Sequence, residues 1–269
     1  MNDFLEIQRG DVPLIVSFPH AGTEIPPELE RHFVSPWLAR KDTDWWVDRL
    51  YGFARDLGAT TVRTRISRSV IDCNRDPSGL SLYPGRPTTG LCPTITFEGE
   101  PLYRDGVPDE AEIARRRTTF FDPYHAALSA ELDRLHHRGG AVVLYDAHSI
   151  RSRVERLFDG ELPQFNIGTN GGTSCASALT ERVTAICLES GESLVVDGRF
   201  RGGWTARHYG RPDRGIHAIQ MELAQRGYMT EPDAPTAQNW PSPIKPYPAI
   251  SASLRAILEA CIAFAKGHS

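Results

Sequence analysis

No C-x-x-C pair occurs in this 269-residue chain; its five cysteines, Cys73, Cys92, Cys175, Cys187 and Cys261, stand singly and far apart. That excludes a zinc ribbon or a thioredoxin-like motif and suits a reducing compartment better than a disulfide scaffold. Positive charge is not in excess either. Lys plus Arg is 30 against 34 for Asp plus Glu, a formal net charge of -4. With no global positive field to release counterions from phosphates, no nucleic-acid partner is expected. No apolar run approaches the ~20 residues of a membrane span. The opening stretch, Met1 to Val12, is acidic at once and lacks the charged-then-apolar shape of a signal peptide. A soluble, cytoplasmic protein with no membrane partner is expected. The nucleophile elbow G-x-S-x-G, the P-loop and the G-x-G-x-x-G fingerprint are all missing; Gly168-Thr169-Asn170-Gly171-Gly172 has the wrong spacing.

What is present has an ordinary globular composition, 40% hydrophobic and 24% charged. The length suits one domain, 1–269, without a disulfide or metal needed merely to fold. Short β-branched runs alternate with helical patterns. Strands are predicted at Val12–Phe18, Ala59–Ile66, Ala141–Tyr145, Ser193–Val196 and Ile216–Leu223. Asp44–Leu57 places Val47, Leu50, Phe53 and Leu57 on one helical face. Ala111–Arg138 has a similar period, broken at Asp122-Pro123, where one helix kinks or a second starts with Asp122 as its cap. Ser174–Leu188 and Ile250–Ala265 complete the set. The alternation indicates an α/β layered fold with a mixed or largely parallel sheet. Two proline-rich stretches, Asp76–Asp105 and Thr230–Tyr247, read as ordered loops, either pocket walls or surface connections.

Polar residues fall just past the strands. Val12–Phe18 runs into Pro19-His20, Ala141–Tyr145 into Asp146-Ala147-His148, and Glu222 sits alone inside an apolar run. Ligands of open α/β sheets bind beyond the carboxyl ends of the strands. Two imidazoles meeting there suggest a metal site, and a catalytic zinc needs one more protein ligand. Glu24, Asp42, Asp44 and Asp48 are the candidates, with Asp146 as a ligand or as a partner to His148. The plainer readings are hydrogen-bonded loop histidines and, for Asp44, a helix N-cap. Glu222 is either part of a structural ion pair or a desolvated carboxylate tuned as a general base. Arg75, beside Asn74, suits a substrate carboxylate; Arg207, after a glycine-rich turn, suits a developing oxyanion. Ser149 beside His148 does not make a nucleophile–base pair, because neighbours on a strand point to opposite faces.

An ordered series of segments resembles the N-formylglutamate amidohydrolase (deformylase) family. They are Ser17-Phe18-Pro19-His20-Ala21-Gly22, Asp42-Thr43-Asp44-Trp45, Asp72-Cys73-Asn74-Arg75, Thr88-Thr89-Gly90-Leu91, Tyr145-Asp146-Ala147-His148-Ser149-Ile150-Arg151-Ser152, Leu157-Phe158-Asp159-Gly160, Phe165-Asn166-Ile167-Gly168-Thr169, Arg207-His208-Tyr209-Gly210 and Gln220-Met221-Glu222-Leu223. That family is related in fold to zinc carboxypeptidases and aspartoacylase-like deacylases. The resemblance implies a three-layer α/β/α domain and metal-dependent hydrolysis of N-formyl-L-glutamate in histidine degradation. It implies zinc on His20, Asp44 and His148, with Asp44 favoured over Glu24 because Thr23 stands where the short His-x-x-Glu motif has its glutamate. Manganese, iron or cobalt also suits such ligands. Glu222 takes the place of the general base, Arg207 steadies the oxyanion, and Asn74 and Arg75 grip one carboxylate. Arg68 is the partner for the other, and Thr89 and Gly168 fall in blocks assigned to substrate binding. The expected partner is a small dicarboxylate substrate. The competing readings are a deacylase of another N-acyl amino acid and a non-catalytic amino-acid-binding protein on the same fold.

Overall fold

The computed structural model describes residues 3–82, 84–246 and 248–267. Met1, Asn2 and the last two residues of 1–269 lie outside the described residues, as do Tyr83 and Tyr247 in the two proline-rich stretches. Seven strands, β1 Leu5–Gln8, β2 Leu14–Phe18, β3 Thr60–Thr64, β4 Val142–Ile150, β5 Phe165–Gly168, β6 Leu194–Val196 and β7 Ile216–Ala224, form one sheet in the order β1-β3-β2-β4-β7-β5-β6. The centre, β3-β2-β4-β7, is parallel; β1 runs antiparallel to β3 and β5 antiparallel to β7. The sheet is therefore mixed and largely parallel, as expected. Two of its strands escaped sequence reading. β1 is half-exposed and paired on one side only, and β5 carries Asn166 and Gly168 in a four-residue run.

The helices are α1 Pro27–Glu30, α2 Val47–Leu50, α3 Glu110–Arg116, α4 Asp122–His136, α5 Ser177–Glu189, α6 Trp204–Tyr209 and α7 Pro248–Lys266. One apolar cluster packs α2, α5 and α7 against one face of the sheet through Val16, Val143, Tyr145, Ile219 and Met221. A second packs α4 and α6 against the other face through Ile15, Val142, Leu144 and Ala218. Three layers result. α7 has the length and hydropathy of a spanning helix, contrary to the expectation that no run approaches one, but Leu254, Ile257, Leu258, Cys261 and Phe264 are spent in the core.

Two helical expectations need correction. Asp44–Leu57 is not one helix: Trp46 stands at φ 60, a single α-turn covers Val47–Leu50, and a tighter turn covers Gly52–Ala54. Asp122 caps nothing. α3 passes into α4 through a widened turn, Arg117–Phe121, just ahead of Pro123. Proline lacks the amide hydrogen and crowds the preceding turn, and a π-type turn relieves both.

Candidate active site

β2 ends at Phe18 and Pro19 turns the chain, so His20 emerges at the carboxyl edge of the sheet. The turn that follows lies on the backbone of Arg65 and Ile66; a Cβ at Gly22 would stand 2.4 Å from both. The Asp44 amide donates to the His20 carbonyl at 3.1 Å, which draws the following loop over the same edge. His148, inside β4, comes up beside them. His20 Nδ1 lies 3.1 Å from His148 Nδ1 and 3.6 Å from Asp44 Oδ2, and His148 Nδ1 lies 3.1 Å from that oxygen. All three side chains are buried.

The outer nitrogens of both rings are accounted for. His20 Nε2 donates to Asp72 Oδ1 at 2.7 Å, and His148 Nε2 donates to Asp146 Oδ2 at 2.8 Å. A carboxylate behind each ring favours the tautomer with the proton on Nε2, whose Nδ1 lone pair would be available to a metal shared with Asp44. Four tetrahedral ligands at ~2.0–2.1 Å from zinc stand roughly 3.3 Å apart, the scale of the separations found here. Asp44 Oδ1 accepts from Arg68 Nη1 at 3.1 Å, and Oδ2 accepts from the Ser149 amide at 3.1 Å. Burial opposes ionisation of Asp44, but His20, His148 and Arg68 together hold its carboxyl below the usual range. Burial likewise opposes charge on Asp72, and Arg75, His20 and Arg68 overcome it. Asp44, Asp72 and Asp146 are all buried around one buried cation, Arg68. Such a surplus of anionic groups fits a bound dication.

Glu222 reaches the site by register. It pairs with His148 across β4 and β7, and Asp146 pairs with Gln220 two residues earlier. The glutamate is 7% exposed, and burial pushes its carboxyl up to about 8; Asp44 and Asp146 add to the rise while His148 and Arg68 oppose it. Below lies a polar lattice. Asn74 Nδ2 donates to Asp146 Oδ2 at 3.1 Å, the Thr205 amide donates to Asn74 Oδ1 at 2.8 Å, and the Gly203 amide donates to Gln220 Oε1 at 2.7 Å. A Cβ at Gly203 would meet the Asn74 side chain at 2.4 Å, so only glycine brings α6 this close.

A cavity of about 50 Å³ opens above these groups, lined by His20, His148, Glu222, Phe97 and Ile150 at its buried end. Arg68, Arg75 and Arg199 give it three guanidinium groups, and Asn74, Gly203, Gln220, Thr88, Thr89, Leu157 and Phe200 complete the wall. Arg68 donates to Asp72 Oδ2 at 2.8 Å as well as to Asp44. Arg75 donates to the Thr89 carbonyl at 2.9 Å and to Thr89 Oγ1 at 3.1 Å, pinning the first proline-rich stretch over the cavity.

Other expected residues lie elsewhere. Arg207 donates from Nε to the Gly202 carbonyl at 2.9 Å and is not among the lining residues. Gly168 packs against the Arg201–Gly202 backbone and is not among them either. The alternative metal ligands are engaged otherwise: Glu24 with Arg65 at 2.7 Å, Asp48 with Arg63 at 3.1 Å, and Asp42 with the Phe97 amide at 2.6 Å. Asp44 does not cap a helix; Trp46 holds the position before Val47–Leu50. Asp72, Gln220 and Arg199 went unassigned from sequence. Asp72, an acid inside the apolar run before Asn74, and Gln220, a polar residue inside the run that carries Glu222, each interrupt an apolar segment.

Fold and site together define a hydrolase that works on an amide bond. The chain belongs to the N-formylglutamate amidohydrolase family, whose model matches residues 12–229. It is 47% identical over 233 residues to the N-formylglutamate deformylase of Pseudomonas aeruginosa, covering 86% of this chain and 87% of that protein. The N-formylglutamate deformylase of Pseudomonas putida matches to the same extent, 47% over 233 residues, with the same coverage of 86% and 87%. Among solved structures, the N-formylglutamate amidohydrolase of Ralstonia eutropha superposes with a TM-score of 0.78 at 25% identity, over 98% of this chain and 97% of that one. A gene product of Agrobacterium tumefaciens shares the fold with a TM-score of 0.68 at 19% identity, over 98% and 94% of the two chains.

Proposed function

We propose that this chain hydrolyses N-formyl-L-glutamate to L-glutamate and formate, as the last step of a route of histidine breakdown in the cytoplasm. The observation that carries the reading is the convergence of His20, Asp44 and His148 beside Glu222, under a wall of arginines. The relatives named N-formylglutamate deformylase support the substrate. The size of the cavity agrees, at about 50 Å³. That is room for a formyl group and little more at the buried end, with the amino-acid part directed to the mouth.

His20, Asp44 and His148 would hold the metal; two imidazoles and a carboxylate suit zinc, and also manganese, iron or cobalt. A divalent ion bound there supplies Lewis acidity, which polarises the formyl oxygen and acidifies a water. Glu222 takes the proton from the attacking water as its oxygen bonds to the formyl carbon. The same carboxyl then returns that proton to the departing amide nitrogen as the C–N bond breaks. A dication bound there would oppose the rise that burial imposes on the Glu222 carboxyl and would favour its ionised form, the form a base needs. Arg207, the residue expected from sequence to meet the oxyanion, does not line the cavity, whereas Arg68 does, held between Asp44 and Asp72. Arg75 meets the substrate α-carboxylate, and Asn74, engaged with Asp146 and Thr205, holds the floor beneath it.

The test is formate release from N-formyl-L-glutamate by the whole protein, before and after chelation and after zinc is restored. Activity that disappears and returns with metal is expected. Clear preference for N-formyl-L-aspartate or N-acetyl-L-aspartate would overturn the substrate assignment, and turnover by fully metal-stripped protein would overturn the metal.

A further inference from the structure

The substrate proposed above carries two carboxylates, and the cavity offers three arginines. Arg68 has both terminal nitrogens committed to buried carboxylates, Nη1 to Asp44 and Nη2 to Asp72. Arg75 adjoins Asn74 and holds Thr89. Arg199 is different in both position and partners. It follows the edge strand β6 and reaches across two separate segments, donating from Nε to the Leu157 carbonyl at 2.7 Å and from Nη2 to the Pro87 carbonyl at 2.7 Å. Its guanidinium lies 5.3 Å from the Phe200 ring centroid.

Resting on that substrate, we propose that Arg199 is the specificity-determining residue that reads the side-chain carboxylate. Leu157 and Phe200 line the cavity beside it. Two methylenes followed by an anion match a wall of two apolar side chains followed by a guanidinium. A charged acceptor bonds a guanidinium about twice as strongly as a neutral carbonyl does, so a carboxylate competes well for donors now given to Leu157 and Pro87. A planar fork also fixes the distance from reacting amide to carboxylate, which a point charge does less well.

The experiment compares metal-loaded wild type, Arg199→Gln and Arg199→Lys on N-formyl-L-glutamate and on N-formyl-L-glutamine, its neutral side-chain analogue. Wild type should prefer the glutamate substrate. Arg199→Gln should cut that preference on the order of 100-fold, with the loss read in KM far more than in kcat. Arg199→Lys should keep part of the preference. If Arg199 only clamps the loops, kcat/KM for both substrates falls in parallel and the preference survives, which overturns the assignment. Should Arg199→Gln not fold, an unchanged preference in Arg199→Lys overturns it and a several-fold loss supports it. A wild type that releases no formate from either compound overturns the substrate reading itself, a different failure from an active wild type whose preference ignores Arg199.

Discussion

The odd-numbered and even-numbered residues of β4 and β7 meet different surroundings. On one face Val143, Tyr145, Ala147, Ile219, Met221 and Leu223 are all core, packed in the cluster that contains α5 and α7. Two buried hydroxyls in that cluster, those of Tyr51 and Tyr145, bond to each other at 2.8 Å. The other face begins the same way, with Val142, Leu144 and Ala218 in the cluster that contains α4. It then changes to Asp146, His148, Gln220 and Glu222 toward the carboxyl ends. Because side chains alternate with a period of two, each strand carries core and site back to back, and a slip of one residue would exchange them. One face supplies burial energy; the other places carboxylates where water solvates them poorly and only partners keep them charged.

The largest effect is expected from changing one atom of the polar face. Glu222→Gln keeps the shape and the register with His148 but removes the base. Turnover should fall by about 10²–10⁴-fold while zinc content, measured on the purified protein, stays near wild type. Loss of metal with the activity would instead make Glu222 a ligand. On the opposite face, one residue away, Met221→Ala should leave kcat per folded molecule unchanged. It should lower the unfolding free energy by about 2–5 kcal/mol, read from urea midpoints. A comparable fall in kcat would show that the two faces are not separate in function.

The same contrast explains what could be read in advance. β2, β4 and β7 announce themselves through continuous apolar runs, as central parallel strands do. His20, His148 and Glu222 stand out because polar residues interrupt or end those runs. Asp72 stands in an apolar segment that forms a buried turn, not a strand, and the carboxylate finds His20 only through the fold. Asp44 was legible as a candidate but not as a choice, since Glu24, Asp42 and Asp48 have the same chemistry. Their separation is made by partners 15 to 55 residues away: Arg65, the Phe97 amide and Arg63. Arg199 had no local signal at all among the arginines. The predicted helix over Asp44–Leu57 failed because periodicity reports which side chains face the core and not whether the backbone between them is continuous.

A pH titration distinguishes the faces more gently. His125, on α4, donates from Nε2 to the Cys73 carbonyl at 2.9 Å, directly behind Asn74. Burial lowers its pKa from 6.5 to about 4. Between those values the unfolded chain binds the proton and the native protein does not. The stability is therefore fully present above 6.5 and is lost as pH falls through about 4. The loss amounts to about 3 kcal/mol at most. Urea unfolding at several pH values should show that slope in wild type and a flatter one in His125→Gln. An identical slope in both would place the acid sensitivity elsewhere.

The smallest effect is expected from the carboxylates behind the histidines, and it tests whether the polar face works as one unit. Asp72 Oδ1 accepts from His20 Nε2 and from the Asn74 amide, and Oδ2 accepts from Arg68 Nη2. Asp72→Asn leaves an oxygen for His20 but sets an amide nitrogen against Arg68 or, if turned over, against the imidazole N–H. Either arrangement weakens His20 as a donor, and removing such a partner typically costs 10–100-fold in metal affinity. Competition with a chromogenic chelator should give a loss of that order, while turnover at saturating zinc recovers most of the wild-type value. Asp146→Asn, which acts on His148 through Oδ2 and also frees Asn74 and Ser17, should match or exceed it. Equal affinity in wild type and both variants would mean that the three inner donors alone define the site, and that the buried carboxylates behind them belong to the core and not to the chemistry.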